Sequence, residues 1–206
     1  MRLLGITFLF VFFSCSKDGE STLRESIEKN EAHFTFQYNG TKYQPSHPDG
    51  LSLEVKARYD KEKNGVLISG QRYIKNPNHE HSILNIYIYE PLQDSTYELI
   101  FNDPRIEPYP QNTYAVFNQS VITDTLYING RVTYPQTPCY YMVDEAEKSV
   151  LRITHFSEHP DFKGVYAIGG EFEMTLVRRG CDSLDPKTLY PKKMTIINGT
   201  FFRGGF

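Results

Sequence analysis

From His33 onward, short runs of alternating apolar and polar residues are punctuated by turn residues at intervals typical of strands. Phe34-Thr35-Phe36-Gln37-Tyr38 leads into Asn39-Gly40, a strong hairpin signal because both central residues of a type I′ turn need positive φ. Further strands are predicted at Leu51–Tyr59, Val66–Ile74, Ile83–Glu90, Thr96–Phe101, Tyr114–Asn118, Leu126–Tyr134, Tyr140–Val143, Val150–Phe156, Val165–Val177 and Met194–Phe202. In Glu171-Phe172-Glu173-Met174-Thr175-Leu176 the apolar residues occupy one face, the mark of a strand with one side in water. Leu84, Ile86 and Ile88 share a face while Tyr87 and Tyr89 share the other, so this strand is predicted to be central and covered on both sides. Gly169-Gly170 interrupts the longest run and predicts a bulge. The pattern gives an all-β domain over residues 33–206, an antiparallel β-sandwich or flattened barrel of roughly eleven strands, with no convincing helix. The Pro-rich stretches 102–111 and 135–138 read as ordered loops over one end.

The first residues follow another pattern. An apolar run from Leu3 to Phe13 follows Arg2 and ends at Ser14-Cys15. A run of eleven residues, apolar but for Thr7, is too short to cross a hydrocarbon core, which takes about 20, but it matches the apolar region of a signal peptide. Phe12-Phe13-Ser14-Cys15 resembles a bacterial lipobox, with Phe at its first two positions. Residues 1–14 are therefore expected to be removed and Cys15 to carry lipid, placing the chain on the outer membrane, facing the periplasm or the cell surface. Residues 15–32 read as a polar tether in which a helix over Leu23–Lys29 would be marginal by itself. Ser16-Lys17-Asp18-Gly19-Glu20 resembles the surface-export signal of some Gram-negative lipoproteins.

Export changes the reading of the remaining cysteines. With Cys15 acylated, Cys139 and Cys181 are an even pair in a compartment where disulfides persist, and they are expected to bond. Aromatic content is 14%, from fifteen Tyr and fourteen Phe with no Trp, and suits pleated, half-buried surfaces. Net charge is −3, and loss of Arg2 leaves 21 basic against 25 acidic residues. No basic excess for neutralising phosphates is present, so a nucleic-acid partner is not expected.

The segment Leu151-Arg152-Ile153-Thr154, then Gly164-Val165-Tyr166-Ala167-Ile168-Gly169-Gly170-Glu171-Phe172-Glu173-Met174, then Met194-Thr195-Ile196-Ile197-Asn198-Gly199-Thr200-Phe201 resembles the C-terminal half of a family of uncharacterised small bacterial envelope lipoproteins. The shared elements are an Ile-x-Ile-Thr strand, a Gly-x-Phe-x-Phe strand and a closing Ile-Thr-x-Gly-x-Phe strand. Here Met174 replaces an aromatic residue and Ile197 adds one position. The resemblance implies strands in this half and carries no catalytic motif.

Candidate chemistry is sparse. His79-Glu80-His81 would put two imidazoles on one face of an extended chain, with His155 or His159 as third ligand, but a solvated hairpin explains the triplet more simply. Glu171 and Glu173 share the outward face of a strand, and Asp182, Ser183 and Asp185 read as a turn. No G-x-S-x-G elbow or Gly-rich phosphate loop occurs, so neither catalysis nor a metal or cofactor is expected. Tyrosine is more suggestive. Tyr109, Tyr114, Tyr134, Tyr140 and Tyr141 lie in or beside the Pro-rich stretches, and a Tyr ring with its polar tip grips peptides or sugars at low entropic cost. The expected function is a non-catalytic envelope module contacting a protein, peptide or glycan through these residues. A lipocalin-like carrier of a small apolar ligand is the alternative, and a hydrolase with a site invisible in sequence comes third.

Overall fold

A computed structural model describes residues 31–45, 54–60, 64–74, 80–102, 111–122, 126–128, 131–133, 136–181 and 191–205, together with Leu23, Glu25 and Lys29. Cys15, the apolar run before it and His79 lie outside these residues, as do Tyr109, Tyr134, Asp182, Ser183 and Asp185. The fold is all-β and antiparallel: β1 (His33–Tyr38), β2 (Thr41–Tyr43), β3 (Glu54–Asp60), β4 (Gly65–Ile74), β5 (Glu80–Tyr89), β6 (Thr96–Glu98), β7 (Tyr114–Ile122), β8 (Leu126–Ile128), β9 (Arg131–Thr133), β10 (Gln136–Val143), β11 (Val150–Glu158), β12 (Tyr166–Cys181) and β13 (Lys193–Gly204). Eleven of these form one curled sheet in the order β2-β1-β13-β12-β10-β7-β5-β4-β3, with β11 and β6 branching from β12, while β8 and β9 pair as a separate hairpin. The outcome is a half-barrel rather than two packed sheets.

The curl wraps around a core of rings. Phe34, Phe36, Tyr43, Phe117, Phe172 and Phe201 all point inward and are buried, with Phe36 stacked on Tyr43 at 4.2 Å. Burial of each such ring stabilises by roughly 1.5–3 kcal/mol, and ring pairing adds about 0.5–1.5 kcal/mol per pair. From the edge strand β2, the Tyr43 hydroxyl crosses the interior and reaches the carbonyls of Gly70 (3.2 Å) and Ser82 (3.0 Å) on β4 and β5. On the opposite edge, β3 curls back until Tyr59 meets the Tyr166 ring of β12 at 4.8 Å. The Asn39-Gly40 turn between β1 and β2 has φ of 49° and 75°, as the hairpin signal requires. As its alternation indicated, β5 is central, with Leu84, Ile86 and Ile88 in the main core. Its outer face carries Tyr87, which packs with Tyr114, Val116 and Met142 in a second cluster.

The fold turns on β12. Its one side pairs with β13 from Ala167 to Val177, while its other side pairs first with β11 (Tyr166 to Glu173) and then with β10 (Leu176 to Cys181). Between these two partners the sheet forks. The chain from Val143 to Val150 crosses the fork, and fully buried Ser149 holds it: its hydroxyl accepts the Thr175 N–H (3.0 Å) and its carbonyl accepts the Leu99 N–H (2.9 Å). The bulge expected at Gly169-Gly170 is present, but the extra residue is Thr154 on the facing strand β11. A Cβ on Gly170 would sit 2.4 Å from the Arg152 carbonyl, so glycine lets the bulged strand approach. The extra position of the closing strand is also a bulge, at Ile197-Asn198, where Asn198 has φ of 52°. Cys139 and Cys181 face each other across β10 and β12 and are bonded, with Cα atoms 4.2 Å apart. Closing a loop of 42 residues' separation is worth up to about 4 kcal/mol on the chain-entropy model.

Two expectations are corrected. Gln136–Pro138 are not a loop but the start of β10, where Pro138 pairs with Ser120 of β7 one residue before the β12 ladder begins. A proline is tolerated there because a missing N–H costs least where, among the described residues, a strand has a neighbour on one side only. The polar tether is also shorter than residues 15–32, since Leu23 is buried and its Cδ1 lies 3.5 Å from where a Gly169 Cβ would be. Leu23, Glu25 and Lys29 have helical backbone, and this turn lies on the outer face of β12.

On that outer face His33 is buried, its Nε2 3.1 Å from the Thr200 hydroxyl, and its Nδ1 has no hydrogen-bond partner. Burial lowers its pKa to about 4 from an ordinary 6.5. A depressed folded-state pKa means the native state resists protonation, so stability is fully present above pH 6.5 and is lost as pH falls toward 4. The full effect is on the order of 3 kcal/mol, and burial of His81 and His155 acts in the same direction. Urea titrations at pH 7.5 and 4.5 check this: His33→Gln is expected to lose about 2 kcal/mol less than wild type on acidification, and an equal loss in both would contradict it.

Candidate functional site

Strand register brings several turns to one end of the half-barrel. Gly65 pairs with Tyr89, Thr96 with Arg152, Tyr166 with Glu158, and His33 with Phe202. The turns after β3, β5 and β11, the start of β1 and the close of β13 therefore lie together, and the disulfide marks the opposite end. At the shared end, a cleft of about 440 Å³ opens between the β5–β6 turn and residues 111–113. Tyr89 and Tyr97 supply its rings, Glu90 and Glu98 its carboxylates, and Gln111 and Asn112 its amides.

The cleft is built by an unusual turn. Asn64 and Glu90 each stand at φ of 46°, a left-handed conformation that costs a non-glycine residue on the order of 1–3 kcal/mol and persists only where surrounding structure fixes it. Here the Glu90 N–H donates to the Asn64 carbonyl (2.8 Å), and the Glu90 carbonyl accepts the Tyr97 hydroxyl (2.8 Å). The same hydroxyl accepts the Leu92 N–H (2.8 Å), so one phenol locks both arms of the turn. Ser95 accepts from the Ile153 N–H at 2.9 Å, Ile100 donates to the Thr113 carbonyl at 3.1 Å, and the Tyr89 N–H donates to the Thr113 hydroxyl at 3.2 Å. Both walls are thus tied to the branch that leaves the fork at Ser149.

Electrostatically the described lining of the cleft is acidic, because Glu90 and Glu98 stand there and no Lys, Arg or His is among the described lining residues. Burial pushes the Tyr89 hydroxyl above its ordinary pKa, and the adjacent Glu90 carboxylate, hydrogen-bonded to it and repelling a phenolate, pushes the same way. Tyr89 accordingly stays a neutral donor at physiological pH. Rings, amides, hydroxyls and carboxylates together can grip a polar surface group.

Those tyrosines singled out from sequence that the structure describes fall elsewhere. Tyr141 is buried, its ring 6.0 Å from Phe117 and its hydroxyl donating to the Pro191 carbonyl at 3.0 Å. Tyr114 is buried in the second cluster, 5.3 Å from Tyr87. Both were expected to present a ring to a partner, and both instead fill the two faces of the sheet, because strand alternation alone decides their side. Tyr140 is half-buried in β10, and Tyr109 and Tyr134 are outside the described residues. Of the histidines, His81 lies in β5, while the His155 Nε2 meets the Ser157 hydroxyl at 3.1 Å. Among the described residues no three His, Cys, Asp or Glu side chains gather as a metal site would need. Glu171 and Glu173 flank inward Phe172 on the outer face of β12. The cleft residues had one sequence signal, the dipeptide Tyr-Glu repeated at 89–90 and 97–98 on either side of Pro91-Leu92-Gln93-Asp94. No family model, curated protein or solved structure matches the chain.

The Tyr97 hydroxyl is the turn's keystone in hydrogen-bond terms. Tyr97→Phe is expected to cost about 1–2 kcal/mol locally and to speed amide exchange at Leu92 roughly tenfold, with the β13 amides unaffected. Unchanged exchange at Leu92 would contradict the assignment.

Proposed function

We propose that the chain is a lipid-anchored, non-catalytic envelope module that engages a protein, peptide or glycan partner in the Tyr89/Tyr97 cleft. The observation that carries the reading is a concave, hydrogen-bond-clamped site whose exposed groups are rings, amides and carboxylates, built on a strained Glu90 that the fold holds in place. Strain of this kind collects where binding surfaces are pre-organised. The anchor reading rests on the apolar run 3–13 and on Cys15. Partner contact is assigned to this cleft, which the end of the Pro-rich stretch 102–111 borders through Gln111. The carrier alternative is disfavoured by the interior, where the rings of Phe34, Phe36, Tyr43, Phe117 and Phe172 touch one another and occupy the space an apolar ligand would take.

Glu98 and Gln111 are exposed, so their replacement leaves the core intact and should shift stability by no more than about 0.5 kcal/mol. Glu98→Ala combined with Gln111→Ala is expected to reduce partner capture from envelope extracts at least tenfold, whereas Tyr140→Ala leaves capture unchanged. Full capture by the cleft variant would refute the assignment.

A further inference from the structure

Among the described residues four large apolar side chains stand substantially exposed: Leu92 and Phe162 at 62%, Ile197 at 43% and Ile100 at 37%. The two most exposed sit on the β5–β6 and β11–β12 turns, both at the end where β1 begins. Phe162 is held out by an ordered turn. His159 donates its N–H to the Val165 carbonyl (2.7 Å), Val165 donates to the Phe162 carbonyl (3.1 Å), and the Gly164 N–H reaches the Glu158 carboxylate. The His159 ring buttresses Phe162 at 4.8 Å, and the Asp161 N–H donates to its Nδ1 at 3.1 Å. An apolar ring on a turn fixed by this many bonds is presented, not stranded by a loose loop.

Chain length says what these tips face. Leu23 is seated beside Gly169, and the eight residues back to Cys15 can reach about 29 Å at most. Gly169 lies seven residues from Phe162, no more than about 25 Å away even in extended chain. A lipid on Cys15 therefore holds this end at the bilayer, with enough slack for the tips to arrive and too little for the domain to stand far clear. We infer that Phe162 and Leu92 dip into the interface of the anchoring membrane and orient the half-barrel with its cleft end toward the lipid. This rests on the anchor reading above. The neighbouring side chains include Glu90, Asp94, Glu158 and Asp161 against Lys163, so the contact is apolar and suits a zwitterionic surface rather than an anionic one.

The chain has no Trp, so a single introduced Trp reports on its own site. Phe162→Trp, Leu92→Trp and, at the opposite end, Lys42→Trp would each be made in the lipidated chain. Each would be bound to vesicles of phosphatidylethanolamine and phosphatidylcholine, with and without brominated acyl chains. The inference expects blue-shifted emission and bromine quenching at positions 162 and 92, at least threefold stronger than at 42 and unchanged in 0.5 M salt. Vesicle-bound protein in which positions 162 and 92 are quenched no more than position 42 overturns the inference and leaves the anchor standing. Equal vesicle flotation of wild type and Cys15→Ala overturns the anchor, and the orientation with it.

Discussion

Everything in this fold leans on the sharing of one side of β12 between two strands. A strand of 16 residues is longer than any single neighbour can cover, so its far half takes β10 and its near half takes β11. The crossing from one to the other would leave backbone groups orphaned in the interior, at a cost of about 1–3 kcal/mol each. Ser149 removes that cost by accepting from Thr175 with its side chain and from Leu99 with its carbonyl, and the Asp144 N–H completes the crossing on the Thr175 carbonyl at 2.8 Å. The fork lets one sheet do two jobs. Its β10-β7-β5-β4-β3 limb curls around the ring core, and its β11-β6 limb contributes Leu151 and Ile153 to the same core and forms a wall of the cleft.

The two faces of the sheet are finished differently. Inside, aromatic rings interlock so closely that a Cβ on Gly199 would meet the Phe172 ring at 2.4 Å. Outside, cover is local: the Tyr87 cluster on one limb, and Leu23 over Gly169 near His33 on the other. In that second region His33 is buried, and burial lowers its pKa to about 4. The start of β1 and the cleft lie at the same end of the half-barrel.

Much of this was legible in the residues. Period-two alternation placed Phe172, Met174, Leu84, Ile86 and Ile88 on the core face, Asn39-Gly40 announced its hairpin, and cysteine parity announced the Cys139–Cys181 bond. The site was much less so. Alternation gives a side chain's face but not which layer covers that face, so Tyr114 and Tyr141 could be taken for contact residues although both are buried. Glu90, Tyr97 and Gln111 come together only because β6 pairs with β11 and Ile100 bridges to Tyr114, pairings between segments far apart in the chain. Proline content at 135–138 suggested a loop where Gln136–Pro138 in fact pair with β7.

The central claim is that the Ser149 crossing of β12 carries the cleft wall. Amide hydrogen exchange on Ser149→Ala tests it most directly. The account expects faster exchange at Thr175, Leu99 and Tyr97, with the amides of Phe34, Phe36 and Phe201 as protected as in wild type. Unchanged exchange at Thr175 and Tyr97, or an equal acceleration in every strand, would contradict it.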